Sequence, residues 1–313
     1  MYWLIGAVGG LLVLTLLTAL VCFLMTFYSP KRRPLGKDEY VIPPGKIYEP
    51  FREEMIAWAK DVRAMPYLEM HVRTEDGLVL RGRYYEYQKG AVTEILFHGY
   101  RGDAERDMSG AVHRCFAIGR NAILVDQRAS GRSDGHVITF GIKERRDAAL
   151  WAKEAVRVLG DDVRLILSGV SMGAATVMMA AAEELPPNVK TILADCGYSS
   201  PGEIIRKVMK EMKAPVGLLY PFVRLGARLF GGFDPEEASP IEAMKKCRLP
   251  VIFFHGDEDA FVPHEMTERL YEACASEKKR FVSVTGAGHG LAFSISKEAY
   301  LKAITDFAEE CKI

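Results

Sequence analysis

The stretch from residue 163 to residue 185 reads VRLILSGVSMGAATVMMAAAEEL, and the fold prediction starts from it. An apolar strand pattern runs into a G-x-S-x-G motif at residues 169–173, and a helix pattern rich in small residues follows. This arrangement places the serine on a strained strand-to-helix turn, where flanking glycines avoid collisions and the helix N-terminus favours negative charge. The stretch therefore predicts that Ser171 is a nucleophile at the end of a buried strand.

Strand and helix patterns alternate along most of the chain. Apolar runs of strand length occur at 94–98, 122–126, 163–168, 190–195, 250–254 and 280–284. Helical patterns such as 143–159 separate most of them, which predicts a mostly parallel sheet with helices on both faces. Before these runs, two alternating stretches flank residues 75–77 (Glu-Asp-Gly) and predict an antiparallel hairpin. The predicted fold class is therefore α/β with an N-terminal hairpin.

One insert, residues 201–248, is longer than a single crossover helix requires. It contains a helical stretch followed by the apolar sequence APVGLLYPFVRLGARLFGGF. Such an insert is typical of a helical lid over an active site, and packing onto the sheet is the alternative for its apolar stripe.

A serine hydroxyl needs a base, and folds with this serine turn supply serine, acid and histidine in that order along the chain. Four histidines precede the serine and are excluded by this order: His71, His98, His113 and His136. His255 and His264 leave little chain for a strand that bears the acid. His289 lies in a glycine-rich loop after the last predicted strand, so it is the predicted base.

Several carboxylates compete for the role of the acid that orients the histidine. Asp257, Glu258 and Asp259 follow the strand at 250–254, and Asp195 ends the preceding strand. The acid must point inward from the end of a strand, and the order of residues alone does not choose among these four.

Residues 4–27 contain no charged residue and rise about 36 Å as a helix, more than the roughly 30 Å of a bilayer core. A cleaved signal peptide would have a basic residue before the apolar run and a small-residue cleavage site, and neither is present. We therefore expect a single-pass transmembrane anchor. Four basic residues follow it, which predicts a cytoplasmic catalytic domain. They are Lys31, Arg32, Arg33 and Lys37.

The rest of the chain divides at about residue 67. Residues 28–66 are predicted to form a juxtamembrane linker and an amphipathic helix at 48–65, and residues 67–313 the catalytic domain. Forty-one basic and forty-one acidic residues balance, which argues against nucleic acid as a partner. Six scattered cysteines show no metal-ligand or disulfide spacing. Acyl transfer by a serine, an acid and a histidine implies neither a metal nor an organic cofactor.

The segment from about residue 68 to residue 313 resembles the α/β-hydrolase superfamily. More narrowly, it is similar to membrane-anchored or cytosolic bacterial esterases and serine-aminopeptidase-like (S33-type) hydrolases. The matching residues are His98-Gly99, Asp126-Gln127-Arg128 with Gly131 and Ser133, the turn at Ser171, His255-Gly256-x-x-Asp259-x-x-Val262-Pro263, and Gly288-His289.

This resemblance implies that Asp259 is the acid of the triad. An oxyanion hole needs two main-chain N–H donors. One is expected from Met172, which follows the nucleophile, and the resemblance points to Tyr100 for the other. His98 is then a structural residue at a strand end. Ala129 departs from the glycine that is usual in the family, which leaves the shape of that loop open.

The expected function is hydrolysis of a carboxylic ester or thioester with an apolar, small-molecule or lipid-like acyl group. A serine peptidase is the second enzymatic hypothesis, for which Glu203 and Glu211 are the candidate carboxylates for a free amino terminus. The third hypothesis is a catalytically silent membrane scaffold, since a fold alone does not guarantee activity. The oligomeric state is not predicted.

Overall fold

The structure is a computed structural model that describes residues 2–31 and 35–313. Eight strands of this part of the chain form one sheet in the order β1-β2-β4-β3-β5-β6-β7-β8. The strands are β1 (Leu68–Arg73), β2 (Val79–Tyr85), β3 (Thr93–Phe97), β4 (Asn121–Val125), β5 (Leu165–Val170), β6 (Val189–Asp195), β7 (Val251–Gly256) and β8 (Lys279–Val284).

Strand pairing confirms the predicted α/β class and the predicted hairpin. β1 and β2 are antiparallel, β2 is also antiparallel to β4, and every other pair is parallel. Every residue of β3, β4 and β7 is buried, as expected for parallel strands covered on both faces. Continuous apolar runs, rather than alternation, are therefore the signature of these strands.

Eleven α-helices occur among the described residues. They are α1 (Tyr2–Thr26), α2 (Arg52–Ala64), α3 (Ala104–Ala117), α4 (Glu144–Leu159), α5 (Met172–Ala180), α6 (Pro201–Glu211), α7 (Val216–Gly226), α8 (Pro240–Met244), α9 (His264–Ala273), α10 (Ala292–Ile295) and α11 (Lys297–Cys311). A 3₁₀ helix at Lys46–Phe51 precedes α2, and a π turn at Ala227–Gly231 follows α7.

Helices cover both faces of the sheet. Trp151 of α4, Val177 of α5 and Leu270 of α9 pack in the core on one face. Val112 of α3 and Tyr300 of α11 pack on the opposite face. β3 lies between β4 and β5, so the chain crosses to opposite sides of the sheet after β3 and β4. The carboxyl ends of strands at such a reversal form the crevice where open α/β sheets bind ligands.

α1 is apolar and long enough to cross a membrane. Its C-terminal end is packed into the rest of the protein: Phe23 and Phe27 are buried beside Phe140 and Phe233. Residues 27–29 continue into a short antiparallel bridge with the loop at 136–138. Of the four basic residues in the topology prediction, Arg32 and Arg33 lie outside the described residues.

Two local expectations are refined. The helix predicted at 48–65 begins as the 3₁₀ turn and continues as α2, which ends at Ala64. Ala129, where the family usually has glycine, has a φ of 60°. The loop therefore keeps the left-handed backbone that glycine adopts freely, at a cost of order 1 kcal/mol for alanine.

Candidate active site

Ser171 lies between the end of β5 and the first residue of α5. Its φ of 57° and ψ of −119° are strained values for a residue with a side chain. Both glycines of the motif are needed because other main-chain atoms approach them closely. A Cβ on Gly173 would lie 2.0 Å from the carbonyl oxygen of Phe97, and one on Gly169 would lie 2.3 Å from the main chain of Gly173. The motif therefore allows β5, α5 and the end of β3 to meet at the serine.

His289 connects the serine to a carboxylate. The distance from its Nε2 to Ser171 Oγ is 2.9 Å, and the distance from its Nδ1 to Asp259 Oδ2 is 2.7 Å. An ionised carboxylate only accepts hydrogen bonds, so Nδ1 donates to Asp259 and Nε2 is left to accept from the serine hydroxyl. The structure thus brings together the three residues predicted as nucleophile, acid and base.

Asp259 is buried and fully hydrogen-bonded. Its Oδ1 accepts from the amides of Phe261 and Val262, each at 2.8 Å. Its Oδ2 accepts from His289 and, at 3.1 Å, from Nε2 of His255. Burial alone would raise the pKa of Asp259, but the hydrogen bonds from His255 and His289 outweigh it and hold the pKa well below its ordinary value.

His255 is a second hydrogen-bond partner of Asp259. Its Nε2 lies 2.9 Å from the carbonyl oxygen of Val262 as well as 3.1 Å from Asp259 Oδ2, so Nε2 carries a proton toward both acceptors. Its Nδ1 lies 2.6 Å from Oγ1 of Thr267. The sequence disfavoured His255 as the base, because it leaves little chain for a strand that bears the acid, and did not assign it this supporting position. The four-residue spacing to Asp259 was the available signal.

The competing carboxylates have other partners. Asp195 Oδ2 accepts from the hydroxyl of Tyr300 at 2.9 Å, and burial raises its pKa. Its main-chain oxygen accepts from the amide of Ser171 at 2.8 Å, so Asp195 supports the turn through its backbone. Asp257 is exposed and accepts from the amide of Gly286, and Glu258 is exposed. Only Asp259 of the four lies within hydrogen-bond distance of His289.

The two predicted oxyanion donors belong to segments next to the serine. Met172 follows it, and the loop of Tyr100 comes close enough that a Cβ on Gly99 would lie 3.6 Å from Ser171 Cβ. Within the described part of the chain, the main-chain amides of Tyr100 and Met172 donate no hydrogen bond. Both amides are thus available to an oxygen atom of a ligand.

His98 occupies the structural position that was expected. Its buried ring accepts from the amide of Gln127 at 3.0 Å, and the Gln127 side chain donates back to the carbonyl of His98 at 2.7 Å. These two bonds tie the end of β3 to the end of β4, which fixes the loop that carries Tyr100.

A cavity of about 680 Å³ opens beside Ser171 and His289. Its apolar walls include side chains from the segment before and within α2, from the loop after β7 and from α10: Ile47, Tyr48, Met55, Trp58, Phe261 and Phe293. None of its lining residues belongs to the insert at 201–248 in the described chain. The insert packs instead on Met172 and Ala175 of α5, so the packing alternative fits better than a lid that shapes the cavity.

Sequence reasoning missed the role of residues 43–58, which it treated as a linker and helix. The Tyr48 hydroxyl donates to the main-chain carbonyl of His289 at 3.1 Å, so this segment contacts the loop of the predicted base directly. Burial is the main cause that raises the pKa of Tyr48, so its hydroxyl stays a donor. The apolar face of the helix predicted at 48–65 was the only sign in the sequence that this segment packs on another part of the protein.

Cys196 completes a group of three potential metal ligands with Asp259 and His289, whose ligand atoms all lie within 4.8 Å of one another. Asp259 and His289 already bond to each other. Burial raises the pKa of the Cys196 thiol well above its ordinary value, which disfavours the thiolate that binds metals. The hydrogen-bonded chain to Ser171 therefore accounts for this cluster better than a metal site does.

Comparison with known proteins gives matches at the levels of family, sequence and fold. Residues 236–294 match the family described as serine aminopeptidase, S33. The chain is 26% identical to the uncharacterized protein YqkD of Bacillus subtilis over 222 residues, 69% of this chain and 71% of that protein. It is 24% identical to protein bem46 of Schizosaccharomyces pombe over 251 residues, 79% of this chain and 78% of that protein.

Among solved structures, an esterase of Pyrococcus furiosus (Pf2001) superimposes with a TM-score of 0.65 at 22% identity. The superposition covers 87% of this chain and 98% of the esterase. At this identity the likeness concerns the fold.

Proposed function

The chain has the fold of the α/β-hydrolase superfamily, and on this basis we propose that it is a serine hydrolase that cleaves carboxylic esters or thioesters. One observation carries the proposal: His289 lies 2.9 Å from Ser171 Oγ and 2.7 Å from Asp259 Oδ2. A base within hydrogen-bond reach of a nucleophile, itself oriented by a third group, is the arrangement that nucleophilic catalysis requires.

The proposed reaction has two steps. Ser171 Oγ attacks the substrate carbonyl carbon while His289 Nε2 takes the hydroxyl proton, and the amides of Tyr100 and Met172 bind the oxyanion. His289 then gives the proton to the departing alcohol or thiol, which leaves an acyl-serine. Water attacks the acyl carbon with His289 again as base, and the acid and free serine are released. Asp259 stays ionised throughout and stabilises the imidazolium.

The cavity walls support an apolar acyl group as the substrate part bound beside Ser171. Aromatic and aliphatic side chains form most of the wall, and a cavity of about 680 Å³ is of the size that holds small-molecule ligands. The candidate carboxylates for a peptidase are engaged elsewhere: Glu203 bonds Arg269 and Ser199, and Glu211 pairs with Lys207. Neither glutamate lines the cavity, so these two residues do not support an aminopeptidase.

We propose further that α1 anchors the protein in a membrane, with the catalytic domain on the cytoplasmic side. Support comes from its uncharged 25 residues and from the basic residues after it. Retention rather than cleavage is supported by Phe23 of α1, which is buried in one apolar cluster with Phe140 and Phe233, because removal of the helix would leave a cavity there.

The activity is tested with full-length protein in detergent on nitrophenyl esters of increasing acyl length and on an aminoacyl anilide. We expect ester hydrolysis that rises with acyl length, little anilide hydrolysis, and loss of activity in Ser171→Ala. Anilide hydrolysis that exceeds ester hydrolysis would identify a peptidase, and a rate unchanged in Ser171→Ala would exclude the mechanism. Alkaline carbonate extraction and protease accessibility of sealed vesicles test the anchor and its orientation.

A further inference from the structure

One face of the C-terminal half of α1 is buried against the rest of the protein, whereas a helix that served only as an anchor would need no such contact. From Tyr2 to Leu14 every side chain is exposed, whereas Thr15, Thr18, Ala19 and Phe23 are partly or fully buried. The burial recurs every three or four residues, so it follows a single face of the helix.

α7 and the π turn after it cover this face. A Cβ on Gly226 would lie 2.4 Å from the carbonyl oxygen of Ala19, so glycine is what allows the two helix backbones to touch. Phe230 packs on Phe23 with ring centroids 5.6 Å apart. Close contact at small residues is typical of helices that pack within membranes.

The length of α1 places this contact inside a bilayer. The thirteen exposed residues Tyr2–Leu14 rise only about 20 Å, whereas a hydrocarbon core is about 30 Å thick. If α1 spans the bilayer, about 10 Å of the stretch that begins at Thr15 must also lie in hydrocarbon. A tilt of the helix would increase this length. The part of α7 that packs on this stretch is then at the same depth.

The surface of α7 fits such a position. Residues 214–223 contain no charged side chain, and the side chains of Leu218, Leu229 and Phe230 are 64%, 53% and 42% exposed. The two arginines within residues 214–231, Arg224 and Arg228, are both paired with Asp234. Large apolar side chains exposed together mark an interaction surface.

We propose that residues 214–231, termed here the embedded segment, insert into one leaflet of the bilayer beside α1. This inference rests on the proposed role of α1 as a membrane anchor. The insert would then serve as a second, non-spanning membrane contact that fixes the orientation of the catalytic domain on the lipid surface. A depth of about 10 Å is within the range of helices that lie in the membrane interface.

The test uses full-length protein in phosphatidylcholine vesicles, with Cys22→Ala and Cys311→Ser as background because these two cysteines are the ones not fully buried. An environment-sensitive fluorophore is attached at Leu218→Cys, Leu229→Cys, Leu12→Cys or Lys89→Cys, and quenching by nitroxides on lipid acyl chains is measured. Leu12 lies in the exposed part of α1, and Lys89 lies in the exposed β2–β3 loop, at the opposite end of the strands from Tyr100.

We expect the probes at 218 and 229 to be quenched at least about half as strongly as the probe at 12, because interfacial helices reach the acyl chains. The probe at 89 should be unquenched. Quenching of the probe at position 12 without quenching of the probes at 218 and 229 would overturn the proposed embedding. The proposed role of α1 as an anchor would still stand. No quenching at 12 would overturn the anchor and the embedding together, while esterase activity in detergent would be unaffected by either result.

Discussion

The Tyr100 hydroxyl donates a hydrogen bond to the main-chain carbonyl of Thr26 at 2.7 Å. The adjacent Arg101 donates to the carbonyls of Met25 and Tyr28 at 2.9 and 3.0 Å. The last carbonyls of a helix lack partners within the helix, so these two side chains complete the C-terminal end of α1. The loop proposed to supply an oxyanion amide is thus bonded directly to the proposed membrane anchor.

This bond predicts that Tyr100→Phe lowers kcat for ester hydrolysis by about 2- to 10-fold, the equivalent of one hydrogen bond of 0.5–1.5 kcal/mol. KM should stay nearly constant, because the amide acts on the oxyanion rather than on the bound ester. Tyr87→Phe, at an exposed tyrosine far from the serine, is the control and should match the parent protein. Equal kcat in Tyr100→Phe and Tyr87→Phe would show that the bond does not position the loop.

The Gly173 contact predicts that Gly173→Ala reduces activity and stability together. The added Cβ meets main-chain atoms of Phe97, which cannot move away as a flexible side chain would. Overpacking of this kind costs about 1–3 kcal/mol, so we expect a lower Tm and a large loss of kcat. Gly217→Ala adds the same atom in α7 where nothing lies within 4 Å, so it should leave kcat unchanged and should not lower Tm. A fully active Gly173→Ala enzyme would contradict the tight geometry of the turn.

Asp259→Asn should lower kcat by about 10⁴-fold, since the amide cannot hold His289 in the same tautomer. Because hydrogen bonds hold the pKa of Asp259 below its ordinary value of about 3.9, the carboxylate stays ionised above that pH. The ionisation of Asp259 itself should therefore not change the size of the defect from mildly acidic to alkaline pH.

The same pKa shift has a consequence for stability. A carboxyl group whose pKa is lower in the folded than in the unfolded protein stabilises the folded state at pH values above its unfolded-state pKa. This contribution to the free energy of unfolding is lost as the pH falls through the folded-state pKa. When Tm is measured as a function of pH, the difference in Tm between the parent protein and Asp259→Asn should therefore become smaller in strong acid. Asp257→Asn, an exposed neighbour, is the control for both measurements. A parent-like kcat of Asp259→Asn at neutral pH would argue against Asp259 as the orienting acid.

The cavity walls predict which part of the chain sets the preference for acyl length. Trp58→Ala enlarges the cavity and should raise kcat/KM for long relative to short esters by about 10-fold, since a methylene in an apolar pocket is worth 1–3 kcal/mol. Phe222→Ala in the insert removes an aromatic ring outside the cavity and should leave the profile unchanged. A changed acyl-length profile in Phe222→Ala with an unchanged profile in Trp58→Ala would support a lid formed by residues 201–248.

The sheet was predictable because its signals are local. Continuous apolar runs predict buried parallel strands whatever their partners are, and the hairpin at β1 and β2 follows from alternation across a short turn. The resemblance to the α/β-hydrolase superfamily was confirmed for the same reason, since its motifs lie at strand ends. The order serine, acid, histidine along the chain restricted the candidates for the triad. The choice of Asp259 among the four carboxylates depended on the family resemblance.

The contacts of the N-terminal third were not predictable. Tyr48 meets His289 across 241 positions, and no periodicity within residues 43–58 specifies that partner. α1 is apolar all round, so its sequence does not indicate which face packs on α7. The apolar stripe of the insert was compatible with a lid and with packing, and only its contact with Met172 distinguishes them.

The role of Ser171 as nucleophile is tested most directly by labelling full-length protein with a fluorophosphonate probe and mapping the modified residue by mass spectrometry. The comparison uses Ser171→Ala and Ser130→Ala, the latter a buried serine whose hydroxyl has no hydrogen-bond partner among the described residues. We expect labelling at Ser171 in the parent and in Ser130→Ala, and none in Ser171→Ala. Labelling that persists in Ser171→Ala, or is absent from all three proteins, would contradict the proposed mechanism.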